Sequence, residues 1–304
     1  MIERTRLTWQ ELLSQHLQAD VPLKDLVSIR TGGPARWFLE VYDADTAVDA
    51  WLAARAQGLP VLFLGKGSNL LVPDAGYPGL VIHFGEGFSK MRLEGAQLHA
   101  QCGVSLKTLA TFAADNSLAG LSFAAGIPGT LGGGLIMNAG AFNGEMSQVV
   151  ASIDCAAPDG RRFSLNLEQA QLSYRHSRMM KEGLLVLGAA LNLTPGHRDA
   201  LYAAMAEFQS LRREKQPLSW PSAGSFFKRP AGYYAGALIE QAGLKGLTVG
   251  GAQVSEKHAG FLINIGGATT ADFIALMQEV QRRVLERFGV ALEPEVRIIP
   301  GEPG

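Results

Sequence analysis

Cysteine is nearly absent: the 304 residues contain two, Cys102 and Cys155. Neither has a CxxC partner or nearby paired histidines, so no metal site and no redox pair is expected, and both thiols, set in apolar strand-like stretches, are expected in the core. An excess of charge is missing as well. Lys plus Arg number 27 against 28 Asp plus Glu, a net charge of -1. That balance offers no general attraction to nucleic acid, so a phosphate-bearing ligand needs local cations. No run approaches the ~20 apolar residues of a membrane span, and Met1 to Arg6 open no apolar leader, so the expectation is a cytoplasmic chain with no membrane attachment. Several motifs are also lacking. Leu70 stands where GxGxxG would need its third glycine, and GxxxxGK[ST] occurs nowhere, which disfavours nucleoside triphosphate chemistry. Gly224-Ser225-Phe226 is not a GxSxG elbow, so Ser225 is no activated hydrolase nucleophile. There is no internal repeat, low-complexity tract or disordered linker.

Glycine is what the chain has in excess, 36 of 304 residues or about 12%, against an average near ~7%. It is clustered, which implies close backbone approach to a ligand. Thr8 to Glu11 match a capping box before an apolar helical face, and Asp43 or Asp45 can cap a second helix stopped by Gly58. Strands are expected at 61–64, 79–84, 96–102 and 184–193, with a helix at about 105–116. Ala157-Pro158-Asp159-Gly160 is a hairpin turn between 149–156 and 163–166. Beyond a helix at about 198–214 and Pro217 come a loop at 221–230, a helix near 233–242, strands around 248–254 and 260–265, a helix at 270–288 and a last strand at about 290–299. A packed junction is expected near 205–220, and the class is α+β.

Gly65-Lys66-Gly67-Ser68-Asn69 joins two strand-like segments. Its bare backbone and side-chain donors suit a pyrophosphate, although a tight turn needs the same residues. Gly126-Ile127-Pro128-Gly129-Thr130-Leu131-Gly132-Gly133-Gly134, followed by Asn138-Ala139-Gly140, places five glycines in nine residues. A core element would avoid that entropy cost, which favours a second phosphate- or ring-binding surface over a structural bend. Ser173 to Arg178 offer Arg175 and Arg178 as a fork for carboxylate or phosphate, or a solvated basic turn. Pro221 to Pro230 set hydroxyls and cations beside aromatic rings, a ligand loop or a plain one. Period-two alternation would put Glu293, Glu295 and Arg297 on one face of a strand, by default a solvated edge.

In this order, Ser28 to Ala35, Leu64 to Val72, Ala125 to Gly144, Ser173 to Arg178, Gly224 to Pro230, Gly250 to Asn264 and Glu293 to Arg297 resemble the UDP-N-acetylenolpyruvoylglucosamine reductase family. The resemblance runs from about Leu26 to Ile299. It implies an FAD-binding fold of the vanillyl-alcohol-oxidase (PCMH) type in two subdomains, 1–95 and 96–205, plus an α+β substrate-binding subdomain at 206–304. Non-covalent FAD is implied on Gly65, Lys66, Gly67, Ser68 and Asn69 and on Gly126, Ile127, Pro128, Gly129, Thr130, Gly132, Gly133 and Asn138, with Thr31 and Gly32 contributing. No histidine stands in these loops to carry a covalent flavin link.

The reaction implied is NADPH-dependent reduction of the enolpyruvyl ether of UDP-N-acetylglucosamine to UDP-N-acetylmuramate. Arg175 matches the family's catalytic arginine, Ser225 its proton donor and Glu295 its catalytic glutamate, acting if protonated. Lys215 and Arg229 match diphosphate contacts, and Tyr174 is a candidate for the pocket wall. Fifty positions separate Arg175 from Ser225 (225 − 175), and the expected helix and strand occupy most of them, so the form without an inserted lid is expected. A monomer, without metal or nucleic acid, completes the expectation. The rivals are an oxidase of the same fold and a non-catalytic nucleotide-sugar sensor.

Overall fold

A computed structural model of the chain describes residues 6–300. Helices start where a side chain can satisfy the open N–H groups of a first turn. Thr8 and Glu11 form the capping box of Trp9–Gln15, Asp43 and not Asp45 caps Ala44–Ala56, and Ser105 caps Leu106–Asp115. Thr269 and Asp272 form the box of Thr270–Phe288, which buries Phe273, Leu276, Met277, Val280 and Val284 along one face. That spacing of three and four is the stripe an amphipathic helix presents to a core.

By contacts the chain divides into two compact units: Met1–Ala19 with Trp37–Lys66 and Gly79–Ser210, and Asp20–Arg36 with Gly67–Pro78 and Leu211–Gly304. The boundaries read at 95/96 and 205/206 do not coincide with this division. The first would cut the antiparallel hairpin of Met91–Glu94 with Gln97–Gln101, and the second falls inside helix Arg198–Lys215.

The first unit is built on five antiparallel strands ordered Arg162–Asn166, Val150–Ala156, Leu185–Asn192, Gln97–Gln101 and Met91–Glu94. Leu185–Asn192 is central and, up to its last residue, wholly buried, which its continuous apolar run anticipates. Val61–Leu64 pairs in parallel with Leu80 to His83 in the same unit. Cys102 and Cys155 are free and buried, and burial pushes both thiols up, Cys155 to about 12. They sit in the core as small apolar groups.

The second unit carries an antiparallel sheet ordered Ser222–Ser225, Phe261–Asn264, Ala252–Val254 and Thr248–Val249. The expected strand at 248–254 is a hairpin, because Gly250 takes φ +53° and turns the chain back. The expected loop at 221–230 opens with a strand. The expected strand at 290–299 survives only as Arg297–Ile298, since the segment changes partners midway. Glu293 and Glu295 bond to Lys228 and Phe226, whereas Arg297 and Ile299 bond to Asn69 and Leu71. Pro294 has no N–H to continue a ladder.

Helix Thr270–Phe288 receives a second cap from far along the sequence. The Asp74 carboxylate accepts the N–H groups of Thr270 at 2.7 Å and Ala271 at 2.9 Å. Asp74→Ala is expected to destabilise the protein by about 1–2 kcal/mol, as loss of a charged helix cap does. Urea unfolding of the FAD-loaded variant checks this, and an unchanged midpoint would show the carboxylate to be dispensable.

Candidate active site

In the first unit the two glycine-rich segments meet. A Cβ on Gly65 would stand 2.4 Å from the Thr130 hydroxyl, so only bare backbone permits the approach. Ser122–Gly126 forms a 3-10 turn, and Ile127, Pro128 and Gly129 lead from it to Thr130. The glycine-rich segment then contains a short helix, Leu131–Ile136, with Thr130 at its N-cap. Helix propensity alone disfavours Gly132-Gly133-Gly134. Tertiary bonds override it: Leu131 N–H donates to Val104 O and Gly132 N–H to Cys102 O, each at 2.8 Å.

Asn138 follows at φ +42°, 1% exposed, its Oδ1 accepting the Ser147 N–H at 2.9 Å. Its buried Nδ2 has no partner among the described residues. An unsatisfied buried donor costs about 1–3 kcal/mol, so this amide points to a ligand acceptor.

The end of the glycine helix also holds the arginine turn. Ser177 Oγ donates to the Ile136 carbonyl at 2.8 Å and caps helix Arg178–Glu182. Immediately before it, Ser173 and His176 exchange two backbone hydrogen bonds of 3.1 Å. Arg175, within that turn, has φ +54°, and its guanidinium lies 5.0 Å from the centre of the Tyr174 ring. A left-handed conformation costs a non-glycine residue about 1 kcal/mol and is found where surroundings enforce a side-chain direction. Arg178 Nε bonds Glu182 at 2.8 Å one helical turn on.

The second unit gathers Ser225, Glu295 and Asn69. Ser225 pairs with Phe261, and the peptide after it is gripped at both ends of Phe226. Phe226 N–H donates to Gly260 O at 2.8 Å, and Phe226 O accepts Glu295 N–H at 2.9 Å. Asn69 Nδ2 donates to Glu295 O at 3.1 Å, and Arg297 N–H to Asn69 O at 3.0 Å. Ser225 is exposed and Glu295 half-buried, whereas Phe226 is fully buried and stacked on Phe273. The backbone is therefore rigid where the hydroxyl is free to meet a ligand.

Gly67 has φ +56°, and a Cβ there would lie 2.5 Å from Leu26 O, so the turn before Ser68 and Asn69 admits glycine only. Thr31 is buried with its hydroxyl 3.0 Å from that of Thr270, and a Cβ on neighbouring Gly32 would meet Val72 at 2.7 Å. Both residues brace the fold at this point. The Glu293 carboxylate accepts from Lys228 Nζ at 3.0 Å. Arg229 lies over the Tyr234 ring at 4.4 Å, and Lys215 is the exposed last residue of its helix.

Residues 35–166 match the FAD binding domain family, and residues 216–299 match the C-terminal domain of UDP-N-acetylenolpyruvoylglucosamine reductase. The UDP-N-acetylenolpyruvoylglucosamine reductase of Agathobacter rectalis is 44% identical over 302 residues, 95% of this chain and 96% of its own length. The chain belongs to the UDP-N-acetylenolpyruvoylglucosamine reductase family. The Clostridioides difficile reductase is 41% identical over 288 residues, 95% of each chain. The crystal structure of the Thermus caldophilus reductase superposes with a TM-score of 0.79 at 34% identity, covering 93% of this chain and 98% of that one.

The protein is therefore an FAD oxidoreductase of a reductase family in peptidoglycan precursor synthesis, and its fold is α+β with an FAD-binding domain. The residues present fit that cofactor. The unpaired amide of Asn138 in the first unit is a feature a bound dinucleotide explains and a packed core does not. Gly65→Ala would push Thr130 off its cap, and we expect FAD affinity to fall by about tenfold or more, some 1.4 kcal/mol. The flavin-to-protein absorbance ratio after dialysis checks it. A ratio equal to that of the unmodified protein would remove Gly65 from the cofactor contact.

Two further residues escaped the sequence reading. Gln216 Oε1, next to Lys215, is a buried acceptor with no partner among the described residues. Phe142, at φ +52° in a two-residue turn, stacks on Phe208 with centroids 4.3 Å apart. A bulky aromatic in a turn flanked by Gly140 and Gly144 was the available signal.

Proposed function

We propose that this protein reduces UDP-N-acetyl-3-O-(1-carboxyvinyl)-glucosamine to UDP-N-acetylmuramate with NADPH as electron donor, Ser225 supplying the proton. FAD, when bound, would supply the hydride chemistry that links NADPH to the terminal alkene carbon of the substrate. Hydride addition there places negative charge on the carbon bearing the carboxylate, and delocalisation into an enediolate lowers the barrier only if the oxygens are stabilised. Arg175 is assigned to that stabilisation, and its enforced left-handed backbone is what a side chain held in one direction requires. Glu295 is assigned to hydrogen-bond the same carboxylate region.

Ser225 then protonates the carbanionic carbon. A hydroxyl is a weak acid, but the carbanion is a far stronger base than water, so positioning suffices. The observation that carries this reading is the double grip on Phe226, whose N–H and C=O tie the Ser225 peptide and the Glu295 backbone to one residue. Lys215 and Arg229 are assigned to the diphosphate and Tyr174 to the pocket wall. The fifty residues from Arg175 to Ser225 are occupied by Arg178–Glu182, Leu185–Asn192, Arg198–Lys215 and their connections, which favours the form without an inserted lid.

The test is the oxidised-flavin absorbance band, followed anaerobically after NADPH and again after the UDP-enolpyruvyl sugar. Bleaching followed by recovery is expected. Bleaching without recovery would keep the flavin oxidoreductase and reject this substrate. The absence of NADPH-dependent bleaching would reject the electron donor.

A further inference from the structure

The turn at 255–260 joins strands Ala252–Val254 and Phe261–Asn264, and a histidine ring fastens it from within. The buried Ser255 hydroxyl accepts the N–H groups of Lys257 at 3.2 Å and His258 at 3.3 Å, and Phe261 N–H returns to His258 O at 3.0 Å. Gly260 N–H then donates to His258 Nδ1 at 3.0 Å. The ring lies edge-on to Phe261, centroids 5.1 Å apart. A Cβ on Gly236 or Gly260 would come within 3.1 Å or 3.0 Å of its Cε1, so both backbones are bare where the ring packs.

Gly260 is also the residue whose carbonyl takes the N–H of the Ser225–Phe226 peptide at 2.8 Å, and the Phe226 carbonyl in turn takes Glu295 N–H at 2.9 Å. One chain of contacts thus runs from the imidazole through Gly260 and Phe226 to both residues assigned to the substrate carbon and its carboxylate. We propose that His258, as a neutral imidazole accepting at Nδ1, is a positioning residue that sets the backbone of Ser225 and Glu295. This rests on the roles given to Ser225 and Glu295 above.

Because Nδ1 accepts a backbone N–H, the single ring proton sits on Nε2. A second proton would set N–H against N–H and break the contact with Gly260. Burial pushes the imidazole pKa down and a backbone hydrogen bond opposes it; of the charged neighbours, Lys245 lowers it and Glu240 raises it. These two face the ring from outside the turn and pair with each other at 2.5 Å. On the turn itself, Lys257 Nζ donates to Arg213 O at 2.6 Å, and the Glu256 carboxylate lies against Gly246. With the native pKa below the ordinary value of 6.5, the contribution of the neutral ring is complete above that value. It is lost as pH falls through the depressed native pKa.

The experiment uses FAD-loaded full-length protein carrying His258→Leu or His258→Asn. Leucine fills space without an acceptor, while Asn Oδ1 stands where Nδ1 stood and does not titrate. For His258→Leu, amide hydrogen exchange at Gly260 and Phe226 is expected to quicken by about tenfold, the effect of one lost hydrogen bond. Flavin reoxidation by the UDP-enolpyruvyl sugar is expected to slow by about as much, with reduction by NADPH unchanged. His258→Asn is expected to restore both and to lose the acid-side decline of reoxidation. Unchanged exchange in His258→Leu, or equal slowing of both half-reactions, overturns the proposal. Should unmodified protein fail to reoxidise with this substrate, the functional reading falls, while the exchange comparison still judges His258 on its own.

Discussion

Ser225→Ala slows reoxidation of the reduced enzyme by the enolpyruvyl substrate about 10³-fold, the range that a positioned general acid contributes, and leaves flavin reduction by NADPH at its original rate. The separation is expected because Ser225 has two detachable functions. Its backbone belongs to the sheet through Phe261 and through the Phe226 N–H, and alanine keeps both. Its side chain is exposed and fills no core volume, so removing Oγ leaves FAD content and unfolding midpoint unchanged. Stopped-flow absorbance of the two half-reactions is the check. Equal loss in both would make Ser225 a structural residue and return the proton to solvent or to another group.

Glu295→Gln is the second large effect: reoxidation falls by about 10²-fold or more, in the range of a single lost charge-stabilising contact, again with flavin reduction intact. Glutamine has the same shape, and the backbone bonds from Glu295 N–H to Phe226 O and from Asn69 Nδ2 to Glu295 O do not involve the side-chain terminus. An amide can still donate a hydrogen bond, so any residual rate reports positioning. The missing part reports a proton that the carboxyl shares and the amide cannot release. A rate equal to that of the unmodified enzyme would place the carboxyl outside the reaction.

Local rules were enough for elements whose signals lie within a few residues. The Thr8 and Glu11 box, Ser105 and the Thr269 and Asp272 box begin helices because an acceptor three residues from an open N–H acts within one turn. The hairpin at 157–160 is closed by Ala157 N–H to Arg161 O and Gly160 N–H to Ala157 O, again a local device. The glycine segment after 126 hid its helix. Its propensity is poor, and the bonds that fold it come from Cys102 and Val104, more than twenty positions away. The alternation in 293–297 was a true pattern read onto the wrong frame. Period two assumes one continuous strand, and here the segment leaves one partner for another within five residues.

The sequence by itself determined the class of residue at each chemical position, the helix starts and the glycines that only bare backbone can satisfy. Each of these follows from an atom's own geometry or its near neighbours. Tertiary structure alone decided that Asn69 would meet Glu295, 226 positions later, and that Asp74 would cap a helix beginning 196 positions on. It also decided that the chain would interleave its segments between two units. An extended segment exposes the same N–H and C=O groups to any partner. The partner is chosen by which apolar faces can be buried together, and that choice belongs to the whole chain.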